Sequence, residues 1–94
     1  MSVKLVTYDL DKPGQDYTDL LKEIKKFSWA RLSESSYAIE TDLTPSQLYA
    51  RFKQYVDAND TIYVIVLNRP YVGQGPKEVN EWLENHLTHA LIPA

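Results

Sequence analysis

Apolar and polar residues follow two different spacings in the first third of the chain, and each spacing predicts a different element. The apolar run Val3–Tyr8 predicts a strand, and the turn-forming residues of segment 9–14 end it. In segment 17–27 the apolar residues recur every three or four positions. This spacing predicts a helix with Asp16 as its N-cap and with charged residues such as Glu23 on its outer face.

The middle of the chain predicts two short strand segments and a second helix. Segments 29–32 and 36–41 are rich in aromatic and β-branched residues, which favours either a hairpin or one bent strand. Thr44 and Gln47, with a proline between them, then form a helix-start signature, because each side chain can bond to the backbone of the other. We expect this helix to run to about position 56.

The last third of the chain contains the most apolar stretch and a third helix. Thr61–Leu67 has the composition of a strand that is buried on both faces. The loop that follows contains Tyr71-Val72, a candidate edge segment. Gly75-Pro76 opens the third helix. Its apolar face is formed by Val79, Trp82, Leu83 and Leu87.

The order of these elements predicts an α+β fold. Right-handed crossovers applied to strand, helix, strand, strand, helix, strand give a ferredoxin-like βαββαβ sandwich with an antiparallel sheet in the order 4-1-3-2. The third helix is then an addition at the C-terminal end. On this interpretation residues 1–94 are a single ferredoxin-like domain.

The fourth strand is an edge strand in this order, yet it lacks the charges that normally protect an edge from pairing with another chain. Three elements can cover it: the Tyr71-Val72 segment, the third helix, or a second copy of the protein. We favour a homodimer that combines these elements. The fourth strand and the C-terminal helix are also a candidate surface for a different protein partner.

Composition narrows the classes of function. The 94 residues are 44% hydrophobic and include no cysteine, which fits one domain and excludes disulfides and thiol chemistry. The formal net charge of -3 leaves no broad basic field to attract nucleic acid from a distance. No apolar run is long enough to cross a bilayer, and residues 1–4 show no signal-peptide core, so we expect a cytoplasmic protein without a membrane partner.

Several familiar catalytic motifs are missing from the sequence. His86 and His89 lie about one helical turn apart, but no third ligand stands nearby, so we interpret them as surface residues. Ser33, Ser35 and Ser36 have no histidine in their region to act as a base. The three glycines do not form a phosphate-binding loop.

Asp9 is the most suggestive candidate for chemistry, because it places a carboxylate at the C-terminal tip of the first strand. Aspartate there suits a hard cation such as Mg²⁺, and it is also a common turn former. Lys22, Lys25, Lys26 and Arg31 are the basic cluster of the chain, which is either a solvated helix face or a strip that contacts nucleic-acid phosphates. Four tyrosines fall at apolar-face positions and are predicted mostly as core residues: Tyr17, Tyr37, Tyr55 and Tyr63.

Two short motifs resemble a known family. Tyr8-Asp9-Leu10 follows the first strand, and Arg31–Tyr37 (RLSESSY) leads into a later one. Together with the helix between them they resemble the small CRISPR-associated adaptation proteins called Cas-two, and more closely their SinR-like and VapD-like relatives. The resemblance covers most of residues 2–68. Such proteins are ferredoxin-like homodimers; some are metal-dependent endoribonucleases or double-strand DNA nucleases, and others are structural partners of an integrase.

The resemblance implies that Asp9 is the catalytic, metal-binding aspartate and that it faces its counterpart across the dimer axis. It also implies a contact of Ser36 with phosphate or with metal-bound water. Two carboxylates on a two-fold axis can share a Mg²⁺ ion that activates water and neutralises charge on a cleaved phosphodiester of RNA or DNA. Segment 11–16, which is acidic to neutral with a single lysine, and the third helix both depart from the family pattern. These departures and the pI of about 5.2 favour the alternative, a non-catalytic homodimeric interaction module.

Overall fold

The protein is built from an antiparallel sheet and helices, and the α+β prediction is confirmed. The computed structural model describes residues 2–10 and 17–89. Of the two alternatives for segments 29–32 and 36–41, the hairpin is present, and so is the predicted third helix. The elements are β1 (Ser2–Asp9), α1 (Thr18–Ile24), β2 (Ser28–Ser33), β3 (Ser36–Thr41), α2 (Pro45–Phe52), β4 (Thr61–Leu67) and α3 (Lys77–His86), with a 3-10 turn at Lys53–Tyr55.

The four strands form one sheet in the order β2-β3-β1-β4. Every neighbouring pair is antiparallel, and β1 lies between β3 and β4. Leu5 of β1 lies opposite Ala38 on one side and Ile65 on the other. β1 and β3 are therefore the central strands, whereas β2 and β4 are the edges of the sheet.

The two faces of the sheet have different coverings. Because side chains alternate along a strand, Val6 and Tyr8 face one side, and Leu5, Thr7 and Asp9 face the other. α1 and α2 pack against the side of Val6 and Tyr8, which we call the helical face. We call the other side the open face, because α3 alone among the helices of the described segments covers part of it.

The main core lies between the helical face and the helices α1 and α2. Leu20 and Ile24 of α1 are buried there with Leu48 and Phe52 of α2. The members of each pair are four residues apart and so lie on one side of their helix. The apolar spacing in the sequence therefore identifies the inward side of both helices.

The beginning of α2 is as predicted. Thr44 Oγ1 accepts a hydrogen bond from the Gln47 backbone N–H at 3.1 Å, and Gln47 Oε1 accepts one from the Thr44 backbone N–H at 2.9 Å. This reciprocal capping box satisfies two backbone donors at the start of the helix. The other predicted cap, Asp16, lies outside the described residues. α1 ends at Ile24, before the predicted end at Phe27, although the Phe27 side chain still packs on the core.

Glu23 corrects the prediction of an exposed, charged outer face for α1, because this residue is buried. The Tyr55 hydroxyl donates a hydrogen bond to Glu23 Oε1 at 3.2 Å, and Lys26 Nζ lies 3.2 Å from the same oxygen. Arg51 Nη1 lies 3.7 Å from Glu23 Oε2. Residues from the region of α2 thus cover a carboxylate that its position in α1 assigned to solvent.

α3 crosses one end of the open face, and Arg69 holds it there. Trp82 and Leu87 pack with Val3 at the start of β1. Arg69 Nε donates a hydrogen bond to the Leu87 carbonyl at 2.7 Å, and Arg69 Nη2 donates one to the Glu84 carbonyl at 2.6 Å. These bonds satisfy carbonyl groups that the helix itself leaves without partners at its C-terminal end.

β4 corrects the prediction of a strand buried on both faces. Tyr63 and Ile65 are 62% and 49% exposed on the open face, so Tyr63 is not the predicted core residue. The segment 70–76 has no regular secondary structure, and its Val72 is 99% exposed, so Tyr71-Val72 is not an edge strand. α3 contacts β2, at the far edge of the sheet. α3 also packs with Leu67 at the C-terminal end of β4. It therefore covers only that end of the strand and leaves Tyr63 and Ile65 exposed.

Candidate functional site

Asp9 is the last residue of β1, and it is exposed on the open face. The sheet pairs it with Thr61, the first residue of β4. Tyr8 before it is buried in the core under the helical face, which directs Asp9 to the other side of the sheet. The carboxylate therefore belongs to an ordered strand and not to the turn that follows.

Ser36 lies on the same face as Asp9. Its register partner is Thr7, and the two side-chain hydroxyls are hydrogen-bonded at 2.9 Å. Asp9 is two residues along β1 from Thr7, and such diagonal cross-strand neighbours lie about 7–8 Å apart, with their Cβ atoms somewhat closer. The open face thus brings together the two residues that the sequence analysis selected for catalysis.

The basic cluster lies on the helical face, away from that pair. Lys22 lies on α1, and Lys25 and Lys26 follow directly after the helix. Arg31 of β2 lies opposite the buried Tyr37 of β3 and lines a pocket on the helical face. Within one chain the sheet therefore separates these four cations from the carboxylate at the end of β1.

An apolar patch lies on the open face beside Asp9. Leu5 pairs with Ile65, and Thr7 pairs with Tyr63, so these side chains form adjacent rows on β1 and β4. We call Leu5, Tyr63 and Ile65 the open-face patch. It adjoins the outer edge of β4, which is a terminal strand of the sheet. Exposed apolar surface next to a strand edge is typical of a surface that another chain covers.

The donor set around Asp9 decides whether one chain can hold a metal ion. Within residues 2–10 and 17–89 there is no group of three or more His, Cys, Asp or Glu side chains placed to hold a metal. Mg²⁺ needs oxygen ligands in octahedral geometry, and proteins often supply one or two carboxylates to it, with water and phosphate completing the shell. Asp9 is one such carboxylate, and the Asp9 of a second copy of the chain would be another.

The two histidines have structural contacts near α3. The His86 ring stacks on Trp82 with ring centres 3.9 Å apart, and His86 Nδ1 lies 2.6 Å from the Trp82 carbonyl oxygen. His89 pairs with Arg69 in an isolated β-bridge. These contacts hold the C-terminal end of α3 against the chain.

The sequence analysis missed a pocket on the helical face. Tyr8, Tyr17 and Tyr37 line it together with Lys25 and Arg31, and its volume is about 220 Å³. The sequence contains a signal for this pocket. Tyr8 of β1 and Tyr37 of β3 occupy inward positions on neighbouring strands, where a purely apolar residue is more usual. We call this cavity the tyrosine pocket.

No known protein-family model matches the chain. The helices within the described segments are all too short or too polar to cross a membrane. Arguments about function therefore rest on the geometry of the open face and of the tyrosine pocket.

Proposed function

We propose that this protein is a ferredoxin-like homodimer related to the Cas-two proteins, and that it is a Mg²⁺-dependent endonuclease whose two Asp9 carboxylates bind the metal ion. The observation that supports this function is the position of Asp9 on the same face as the open-face patch. A second copy that covers the patch brings its own Asp9 to the same side of the sheet.

The exposed apolar side chains support the homodimer. In a two-fold interface both copies use the same residues. Tyr63 and Ile65 offer apolar area whose burial contributes roughly 25 cal/mol for each Å² removed from water. The edge of β4 adds backbone donors and acceptors that can pair with another strand.

The ligand chemistry supports Mg²⁺ as the cofactor. Two carboxylates are a common protein contribution to a Mg²⁺ site, and the ion, when bound, activates water and neutralises charge on a phosphodiester. Thr7 and Ser36 lie on the same face, and their mutual hydrogen bond uses one of the two hydroxyl protons. The other hydroxyl proton can be donated to a phosphate oxygen of the substrate.

A second candidate function is the non-catalytic homodimeric interaction module. The observation that favours it is the location of Lys22, Lys25, Lys26 and Arg31 on the helical face. An endonuclease normally needs cations beside the metal to position the phosphate backbone. In the interaction module the open-face patch is the functional surface, and Asp9 only ends β1.

Incubation of the purified full chain with labelled RNA and duplex DNA tests the proposal, in the presence of Mg²⁺, of Mn²⁺ or of a chelator. We expect metal-dependent cleavage that falls roughly a hundredfold or more in Asp9→Asn, because the variant loses the charge that holds the ion. Asp19→Asn is the matched control, since Asp19 is exposed on α1 and lies on the other side of the sheet.

Three results decide between the candidates. Cleavage that survives Asp9→Asn at the wild-type rate contradicts a metal site at Asp9. Cleavage that falls equally in Asp19→Asn contradicts a specific role for the β1 carboxylate. A dimeric protein that cleaves neither nucleic acid with either metal supports the interaction module.

A further inference from the structure

The tyrosine pocket opens on the helical face, near the turn between β2 and β3. The Tyr8 backbone N–H donates a hydrogen bond to the Ser35 carbonyl at 3.0 Å, which joins the end of β1 to that turn. Tyr8 and Tyr17 form one wall, with ring centres 5.5 Å apart. The described residues that line it are Tyr8, Tyr17, Leu21, Lys25, Arg31, Glu34, Ser35 and Tyr37.

Two of the lining tyrosines, Tyr8 and Tyr37, are deeply buried. Tyr8 is 4% exposed and Tyr37 is 2% exposed. In the part of the chain that the structure describes, no side chain or backbone group bonds to either hydroxyl. Buried phenol groups in proteins usually have a hydrogen-bond partner, so two of them that line one cavity favour a polar ligand there.

The hydroxyl of Tyr8 remains a hydrogen-bond donor throughout the physiological pH range. Burial, reinforced by the neighbouring Tyr37, raises the pKa of Tyr8 to about 12. The ligand that meets this group must therefore offer an acceptor atom. Oxygen atoms that carry negative charge are the strongest acceptors for such a donor.

Two cationic side chains, Lys25 and Arg31, line the pocket. Lys25 Nζ lies 4.9 Å from the centre of the Trp29 ring in a cation–π contact. Arg31 donates long hydrogen bonds to the carbonyls of Ser33 at 3.3 Å and Glu34 at 3.4 Å. The guanidinium has five N–H donors, so most of them remain for a ligand.

We propose that the tyrosine pocket binds a phosphate monoester. The hydroxyls of Tyr8 and Tyr37 and the guanidinium of Arg31 donate hydrogen bonds to its oxygens, and Lys25 adds a second positive charge. Among the described lining residues Glu34 is the one carboxylate, against the two cations Lys25 and Arg31. The site lies on the face of the sheet opposite Asp9 and does not depend on the proposed nuclease activity.

Calorimetric titration of the full chain tests this site with three probes: inorganic phosphate, a nucleoside 5′-monophosphate, and the same nucleoside without phosphate. We expect both phosphates to bind and the nucleoside not to bind. The relative affinity of inorganic phosphate and the nucleoside 5′-monophosphate shows whether the pocket prefers a free phosphate or one carried by a nucleoside. A nucleoside that binds as tightly as its monophosphate overturns the proposal, because the pocket then recognises the base and sugar and not the phosphate.

Variants assign the binding to the named groups. We expect Arg31→Gln and Tyr37→Phe each to weaken phosphate binding about tenfold, as the loss of one charge-assisted hydrogen bond predicts. We expect Glu34→Gln to tighten it several-fold, because the variant removes the repelling charge. Tyr55→Phe is the matched control, since it removes a hydroxyl that bonds to Glu23 outside the pocket.

Thermal unfolding is a second measurement, which shows whether a variant is still folded and whether phosphate stabilises it. Tyr8→Phe removes a hydroxyl that no described residue bonds to, so we expect its melting temperature in phosphate-free buffer to equal or exceed that of the wild type. We also expect phosphate to raise the melting temperature of the wild type more than that of Tyr8→Phe. Equal phosphate binding by the wild type, Arg31→Gln and Tyr37→Phe overturns the proposal.

Discussion

Glu23 connects the two helices that cover the helical face. Its carboxylate accepts a hydrogen bond from the Tyr55 hydroxyl and lies close to Lys26 and Arg51. The side chain of Glu23 is 7% exposed, whereas those of the two cations are 62% and 48% exposed. The buried carboxylate therefore depends on its partners, whereas the cations remain hydrated without it.

We expect Glu23→Ala to lower the free energy of unfolding by about 1–3 kcal/mol, because the substitution removes several bonds and leaves a gap between the helices. Urea denaturation measures the change. Glu81→Ala is the control, since Glu81 is an exposed glutamate on α3 that pairs only loosely with Lys77, at 3.7 Å. Equal destabilisation by the two substitutions would contradict this role for Glu23.

Local sequence signals predict α2 better than they predict α1. The capping box of α2 is made by Thr44 and Gln47, which are three residues apart, so the sequence alone contains it. The burial of Glu23 depends on Arg51 and Tyr55, which are about thirty positions away along the chain. A helical repeat describes one helix and cannot show which neighbouring helix will cover its polar side.

At the scale of elements, α3 is attached to the loop after β4 by a small polar cluster. Glu84 Oε2 accepts a hydrogen bond from the Tyr71 hydroxyl at 2.7 Å, and Arg69 Nη2 lies 3.3 Å from Glu84 Oε1. The hydrogen bond from Tyr71 and the nearby Arg69 guanidinium lower the pKa of Glu84 below its ordinary value of 4.5. The ionised form of Glu84 is therefore the form that holds α3 to the loop.

This shift makes the attachment of α3 sensitive to acid. Because the folded-state pKa of Glu84 is lowered, its contribution to stability is present above pH 4.5 and is lost as the pH falls through the folded-state value. We expect Glu84→Gln to melt at a lower temperature than the wild type at pH 7. The two proteins should melt alike once the pH is low enough to protonate Glu84 in the folded wild type.

Glu81→Gln is the control for this pH dependence, because Glu81 lies on the same helix but does not contact Tyr71 or Arg69. Melting curves for the three proteins across the acidic range check the expectation. A difference between wild type and Glu84→Gln that persists unchanged at low pH would contradict it, since the charge of Glu84 would then not be its source.

At the scale of the whole molecule, the proposed homodimer has the open-face patch as its interface. We expect the wild type to be a dimer and Ile65→Lys to be a monomer of 10.9 kDa at micromolar concentration. A charge in the centre of an apolar interface must be desolvated when the interface forms, which opposes association. Ile65 is half exposed in the single chain, so the monomer should tolerate the lysine.

Light scattering during gel filtration measures both masses. Tyr49→Lys is the control, because Tyr49 is a similarly exposed apolar side chain on α2, outside the patch. A monomeric wild type at this concentration contradicts the homodimer. A dimeric Ile65→Lys variant shows that another surface forms the interface.

The sequence could predict Asp9 and Ser36 as individual candidates, but their shared face depends on the strand register, in particular the pairing of Thr7 with Ser36. The apolar composition of β4 predicts that the strand is buried. It does not show whether residues of the same chain or of another chain bury it. The tyrosine pocket combines Tyr8, Tyr17 and Tyr37 from three separate segments. No spacing rule joins them, because folding alone brings these segments together.

The most direct test of the account asks whether the two Asp9 positions meet in the dimer. The chain contains no cysteine, so Asp9→Cys and Asp19→Cys each introduce one reactive thiol in each subunit. We expect a short bis-maleimide to join the subunits of Asp9→Cys covalently and to leave the subunits of Asp19→Cys separate. A dimer that is joined through position 19 and not through position 9 would contradict an interface on the open face.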